Sequence, residues 1–368
     1  MTVLVMFAIN DSIIFAGDLT ETMEDGKTYD GIRKTFELTN ELPAGVMFNG
    51  KADFEDLSME TLIGLFKKNT DFKKLGSIEN VKKEFINFIS KTTKYTSVNE
   101  YLNEVIERFK DELNTKISQS TFEKVIETKK RENVYSYLKD YPNYEDEFFD
   151  IIPDGKDKRK YNQILWEIFC HDLYFEGTGV VFGGFDMTHN HPSYFEINLH
   201  CNDNGRIIYD EIDSRVNLEK PLIKIFAMNE EAYTFITGVN YKFQEHVDEY
   251  IKASNKQIIK KIQSYLENNN IENVNKIVGE CEKIIDDSYS DLNEEIDNFR
   301  IDALEDTSYS IEYLPRNLLC IFADYLIQLT GLKQKISSDI ESVSMKSDIG
   351  VMTKVYGFKW FKYDDSRV

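Results

Sequence analysis

Cysteine is scarce in this chain. Cys170, Cys201, Cys281 and Cys320 are scattered over 368 residues, with no CxxC pair. Free thiols in a reducing cytosol are the economical reading, so a cytoplasmic location is expected. No apolar run reaches membrane-spanning length. The N-terminal apolar stretch has no basic region before it and is broken at Asn10-Asp11, which argues against a signal peptide. Basic charge is in deficit: 44 Lys and Arg against 65 Asp and Glu give a net charge of −21. That balance argues against nucleic acid or an anionic membrane as partner, and it keeps the protein soluble. The sequence has no GxSxG elbow, no Walker A motif and no GxGxxG after a strand. Gly177-Thr178-Gly179 and Gly183-Gly184 suit turns and strand bulges. The 21 Tyr and 25 Phe fall at core spacings without interleaved Arg or Lys, which argues against nucleic-acid stacking.

Glycine is missing from two long stretches, Ser77 to Asp154 and Val239 to Val278. In the first, Ile78, Val81, Phe85 and Ile89 make one amphipathic face, and Leu102, Val105, Ile106, Phe109 and Leu113 make another. Ser97 and Glu100 form a capping box before the latter, and Phe122 to Leu138 reads as a third helix. In the second, Ile258, Ile259, Ile262 and Leu266 recur in a charged background. The chain is therefore expected to be a single domain, 1–368, with helical insertions at 75–175 and 240–300. The acidic run Tyr144 to Asp150 and the basic run Lys156 to Lys160 read as solvated surface. After Pro315, a stripe of Leu318, Phe322, Leu326 and Leu329 predicts a core helix.

What the chain does contain is a suggestive beginning. Val3 to Ile9 is apolar throughout, Asn10-Asp11-Ser12 reads as a turn, and Ile13 to Gly17 is apolar again. This predicts a hairpin of two well-buried strands, with Asp18 at the end of the second, close to the start of the first. Lys34 precedes Thr35-Phe36-Glu37-Leu38, an alternating stretch that predicts a third strand. Aminopeptidases usually remove Met1 when the next side chain is as small as Thr2. Thr2 would then carry a hydroxyl and a free α-amine, the minimum equipment of an N-terminal nucleophile. A free α-amine, with a pKa of roughly 7.7–8.0, can accept a proton near neutral pH. A lysine at position 34, held by Asp18, would lower the pKa of the nucleophile and orient it.

This arrangement resembles the β-type subunits of the proteasome and their bacterial relatives, within the N-terminal nucleophile hydrolases. In that family the hairpin begins with Thr, its second strand ends in Ala-Ala-Asp, and a Lys precedes the next strand. Thr2, Ala16-Gly17-Asp18 and Lys34 match those places without a gap. The family then has a turn glycine whose N–H lies in the oxyanion hole, followed by a helix. Phe48-Asn49-Gly50 ahead of Phe54 to Lys68 is similar but two residues longer, which makes Gly50 the expected donor and Gly45 the reserve. Leu329 to Lys362 resembles the last helix and closing hairpin of bacterial members. Asp348 keeps their aspartate, but their Ser-Gly-Gly is replaced by Val343-Ser344-Met345. Gly179 to Phe185 and Ser193 to His200 read as adjacent strands, and Pro221 to Gly238 as strand end, turn and helix, in the family's order.

The resemblance implies an α+β fold, a four-layer αββα sandwich of two antiparallel sheets, with the N-terminal hairpin central in one and Ile349 to Phe361 supplying late strands. It also implies a threonine-type hydrolase of peptide or other amide bonds, with no cofactor and no metal. Thr2 would be the nucleophile, Asp18 and Lys34 would tune it, and Gly50 would stabilise the oxyanion. Relatives assemble into rings, so a homo-oligomer is an expected partner. Two other function classes compete. One is an inactive scaffold or binding protein with the same fold. The other is a metal enzyme built on His189, His191 and His200, with Asp186 and Cys201 nearby and His171 upstream. His200 stands a full strand beyond His191, nearly 30 Å if extended, which disfavours a shared ion.

Overall fold

The computed structural model describes residues 2–22, 27–96, 98–116, 152, 158–159, 162–163, 165, 177–337 and 343–363. In chain order the elements are β1 (Val3–Ile9), β2 (Ser12–Asp18), β3 (Thr20–Thr22), β4 (Thr28–Asp30), β5 (Thr35–Thr39), β6 (Ala44–Gly50), β7 (Asp53–Phe54), β8 (Leu57–Ser58) and α1 (Met59–Asn69). Next come α2 (Ile78–Thr92), α3 (Val98–Lys116), β9 (Thr178–Gly184), β10 (Ser193–Asp203), β11 (Arg206–Arg215), β12 (Leu222–Ala227) and α4 (Glu230–Thr237). The last elements are α5 (Tyr241–Asn268), α6 (Val274–Glu312), α7 (Arg316–Ile336), β13 (Ser347–Thr353) and β14 (Gly357–Lys362). The fold is α+β, with antiparallel sheets. No helix among the described residues is long and apolar enough to cross a membrane. The capping box at Ser97 and the helix at Phe122 to Leu138 lie outside the described residues.

Two compact units divide the chain. The first comprises Met1–Ile32, Leu218–Val351 and Lys359–Val368; the second comprises Arg33–Asn217 and Met352–Phe358.

In the first unit the sheet order is β12-β1-β2-β13-β14. The β1–β2 hairpin turns at Asn10-Asp11, and its register runs from Ile9 opposite Ser12 to Leu4 opposite Gly17. Every residue of both strands is buried, as continuous apolar runs require. Val3, Val5, Phe7 and Ile9 share a core with Leu319, Ala323, Leu326 and Ile327 of α7, and Phe7 stacks on Phe322 at 5.3 Å. The expected stripe on α7 is thus rotated. Leu326 is buried, Phe322 and Leu329 are half-buried, and Leu318 is exposed. The packed face instead uses Cys320, Ala323 and Gly331 between its leucines. Cys320 and Ala323 share the core with β1, and a Cβ on Gly331 would lie 3.2 Å from the Val343 carbonyl oxygen; counting large apolar side chains does not register small residues of this kind.

In the second unit the sheet order is β11-β10-β9-β6-β5, with each adjacent pair antiparallel. Helix α2 packs on it through Ile78, Val81, Phe85 and Ile89, the face predicted from spacing. Phe66 of α1 meets Phe72, Phe85 and Phe88, and Phe85 meets Phe182 of β9. On α3, Leu102, Val105 and Ile106 are buried. The helix expected from Phe54 begins later, at Met59. Residues 53–58 form the small β7–β8 hairpin, and the Ser58 hydroxyl caps α1 by accepting from the Thr61 N–H.

Candidate functional site

The hairpin register explains the spacing of sixteen residues between Thr2 and Asp18. A two-residue turn and two seven-residue strands bring the start of β1 beside the end of β2. Asp18 is fully buried there, and donors surround it. The Thr2 hydroxyl donates to Oδ1 at 3.1 Å, and the Val3 N–H donates to the same oxygen at 3.0 Å. Oδ2 accepts from the Thr20 N–H at 3.1 Å and the Ser344 N–H at 3.3 Å. A carboxylate has about four lone-pair directions, and each of its oxygens accepts from two of these donors.

The bonds continue into a closed circuit. The Thr2 carbonyl accepts from the Met228 N–H at 2.9 Å. The Met228 sulfur accepts from Gln334 Nε2 at 2.9 Å, and Gln334 Oε1 accepts from the Val343 N–H at 2.9 Å. Val343 leads directly to Ser344 and so back to Asp18. Gln334 is a buried polar residue on α7 whose amide spans from β12's end to the segment before β13. Thr20, Met228, Gln334 and the backbone of Ser344 were not anticipated as site residues. Only the departure at Val343-Ser344-Met345 marked that segment, and backbone donors leave no sequence signature.

Lys34 and Gly50 belong to the second unit. Lys34 is buried, and its carbonyl accepts from the Phe48 N–H at 3.0 Å, which ties the start of β5 to β6. Gly50 ends β6 with φ +80°, in the left-handed region, and pairs with Thr178 of β9. Alternation along β6 turns its N–H toward the edge that Phe48 uses, past the first residue of β5. A Cβ on Gly50 would lie 2.6 Å from the Gly177 carbonyl oxygen. Gly50→Ala is therefore expected to cost about 2–3 kcal/mol of stability, read as a lower urea midpoint. Gly45, the reserve donor, sits inside β6 between Glu37 of β5 and Gly183 of β9, so the ladders claim its backbone groups.

The histidines take other roles. His200 is buried, with Nδ1 3.2 Å from the Tyr101 hydroxyl and Nε2 2.8 Å from Asp210 Oδ2. Both ring nitrogens are thus engaged by neighbours that hold α3 and β11 to β10. His189 lies 3.3 Å from Asp186, whose carboxylate also accepts from Ser193 Oγ and from the Ile78 N–H at the start of α2. Among the described residues no group of three His, Cys, Asp or Glu is placed to hold a metal ion. His171 lies outside the described residues. Burial pushes the thiols of Cys201 and Cys320 up to about 12, with Glu55 and Asp203 adding to the effect at Cys201, so both stay protonated and unreactive at neutral pH.

No protein-family model and no curated protein matches the chain. Two solved structures cover 99% of this chain and 89% of their own. One is Anbu (ancestral beta-subunit) from Yersinia bercovieri, 9% identical with a TM-score of 0.37. The other is an Anbu (Gly-1) mutant from Hyphomicrobium sp. strain MC1, 10% identical with a TM-score of 0.35. Likenesses this distant assign neither activity nor site residues.

Proposed function

We propose that the chain is a proteasome-like N-terminal threonine hydrolase cleaving peptide or other amide bonds. The observation that carries this reading is the buried Thr2–Asp18 hydrogen bond at the open end of the hairpin. Once Met1 is removed, the α-amine of Thr2 takes the hydroxyl proton as Oγ1 bonds to the acyl carbon. The proton then passes to the departing amine, the C–N bond breaks, and water hydrolyses the ester left on Thr2. Asp18 holds the hydroxyl end of this residue. Lys34 and Gly50 take the roles that the resemblance gives them, tuning the nucleophile and donating to the oxyanion. The four-layer sandwich, insertions at 75–175 and 240–300, a cytoplasmic location and self-association belong to the same proposal.

A scaffold that keeps the fold without turnover is the second reading. It is favoured by the Val343-Ser344-Met345 segment, which offers Asp18 a backbone N–H where relatives carry a serine motif. Intact-mass measurement of untagged protein, before and after a threonine-directed β-lactone, separates the two. The hydrolase reading expects a chain beginning at Thr2 that gains one acyl group, and no gain in Thr2→Ala. That substitution removes one hydrogen bond and should cost only about 1 kcal/mol of stability. A chain that retains Met1, or one that is never acylated, would leave the scaffold.

A further inference from the structure

We propose that Met228 is a modification site, whose oxidation by a peroxide loosens the setting of Thr2. Its position in the chain is unusual. Ala227, at the end of β12, has φ +61°, in the left-handed region that a residue with a Cβ seldom enters. The chain turns there, and the next residue delivers two groups to the hydrogen-bond circuit. The Met228 N–H donates to the Thr2 carbonyl, and the Met228 sulfur accepts from Gln334 Nε2, each at 2.9 Å. Thr2, Asp18, Met228, Gln334, Val343 and Ser344 all lie in the first unit.

Burial singles this sulfur out, because oxidation of a thioether follows its exposure. Of the nine methionines, Met6, Met47, Met59 and Met352 are fully buried, which shields them in the folded chain. Met187 is exposed and belongs to the second unit. Met345 is half-buried beside Gly331. Met1 and Met23 lie outside the described residues. Met228 is half-buried, and its sulfur is itself a member of the circuit.

The chemistry is a two-electron transfer. A sulfur lone pair attacks one oxygen of hydrogen peroxide, and the O–O bond breaks. The proton on the transferred oxygen passes to the departing hydroxide, which leaves as water. Sulfur is oxidised, the peroxide is reduced, and the product is methionine sulfoxide, which sulfoxide reductases return to the thioether. The added oxygen carries the negative charge, and the sulfur, now partly positive, ceases to accept from an N–H. The Gln334 amide is planar, so turning its NH2 to follow the new oxygen also moves Oε1 away from the Val343 N–H. Ser344, the next residue, is then less firmly held against Asp18. The consequence for Thr2 rests on the hydrolase reading, whereas the consequence for Val343 does not.

Titration of the full chain with hydrogen peroxide tests this, in a background carrying Met187→Leu and Met345→Leu. Both replacements conserve volume, and each sample is compared with its own unoxidised form. Peptide mass mapping should find one oxygen on Met228 while Met6, Met47, Met59 and Met352 stay unmodified. Amide exchange at Val343 and Ser344 should then accelerate about tenfold. Adding Gln334→Leu removes the bond that oxidation breaks, so the same treatment should leave exchange there unchanged. Met228 that stays unmodified until the chain unfolds overturns the proposal. So does oxidation with unaltered exchange, or an equal acceleration in Gln334→Leu. Where Thr2 is the nucleophile, its acylation by a β-lactone should slow about tenfold on oxidation, and an unslowed rate also overturns the proposal. A chain that is never acylated, even unoxidised, removes the hydrolase reading alone and leaves the exchange result to decide the modification site.

Discussion

Asp18→Ala is expected to destabilise the protein by about 4–6 kcal/mol, enough to leave it barely folded at 25 °C. The substitution strands the Val3, Thr20 and Ser344 N–H groups and the Thr2 hydroxyl in a place that water does not reach. Each stranded donor costs about 1–3 kcal/mol. Asp18→Asn should fall between. Its one remaining oxygen can serve either the Thr2 and Val3 pair or the Thr20 and Ser344 pair, and its NH2 points donors at donors. Urea unfolding of the three proteins should therefore rank them wild type, Asn, Ala. An Ala variant as stable as wild type would show that these bonds do not hold the hairpin end.

Gln334→Leu should show its effect in stability, in hydrogen exchange and, where Thr2 is the nucleophile, in acylation rate. The variant leaves the Val343 N–H without its acceptor and the Met228 sulfur without its donor. A loss of about 2 kcal/mol follows from the buried orphan. Amide hydrogen exchange at Val343 and Ser344 should accelerate well beyond that of α7. If Thr2 is the nucleophile, its acylation by a β-lactone should slow about tenfold to a hundredfold, because the circuit no longer fixes the threonine. Gln334→Glu keeps an oxygen for Val343 and loses only the donor. It should preserve exchange protection at Val343 and lose less acylation rate. Equal behaviour of Leu and Glu would mean that Gln334 merely fills space.

Hydrophobic period revealed much of this architecture. The N-terminal hairpin, the packed face of α2 and the β9–β10 pair each rest on local pattern, and each is present in the structure; the final hairpin, also present, was read from the resemblance alone. Period fails where a helix is apolar on more than one side. Helix α7 leaves Leu318, Ile321, Tyr325 and Leu332 exposed while packing its smaller residues. Period also says little about α1, whose start is set by the Ser58 cap. At the site, a fixed spacing along one hairpin joins Thr2 to Asp18, so that pair was legible. The remaining contacts to Asp18 are not, because a buried N–H can come from any residue that tertiary folding delivers. Gln334 illustrates this: a glutamine in a helix reads as surface until its amide is seen joining two loops.

The Asp18 contacts also have a consequence for synthesis. Three of the donors described above are made within the first twenty residues, but Ser344 and the glutamine that steadies its segment come more than three hundred residues later. At ribosomal rates of about 5–20 residues per second, that gap is roughly 16–65 s. Throughout it the nascent hairpin carries a threonine hydroxyl whose carboxylate partner is incompletely held. The end of translation therefore acts as a timer, and a prematurely terminated chain would emerge with the hydroxyl in place but its setting unfinished.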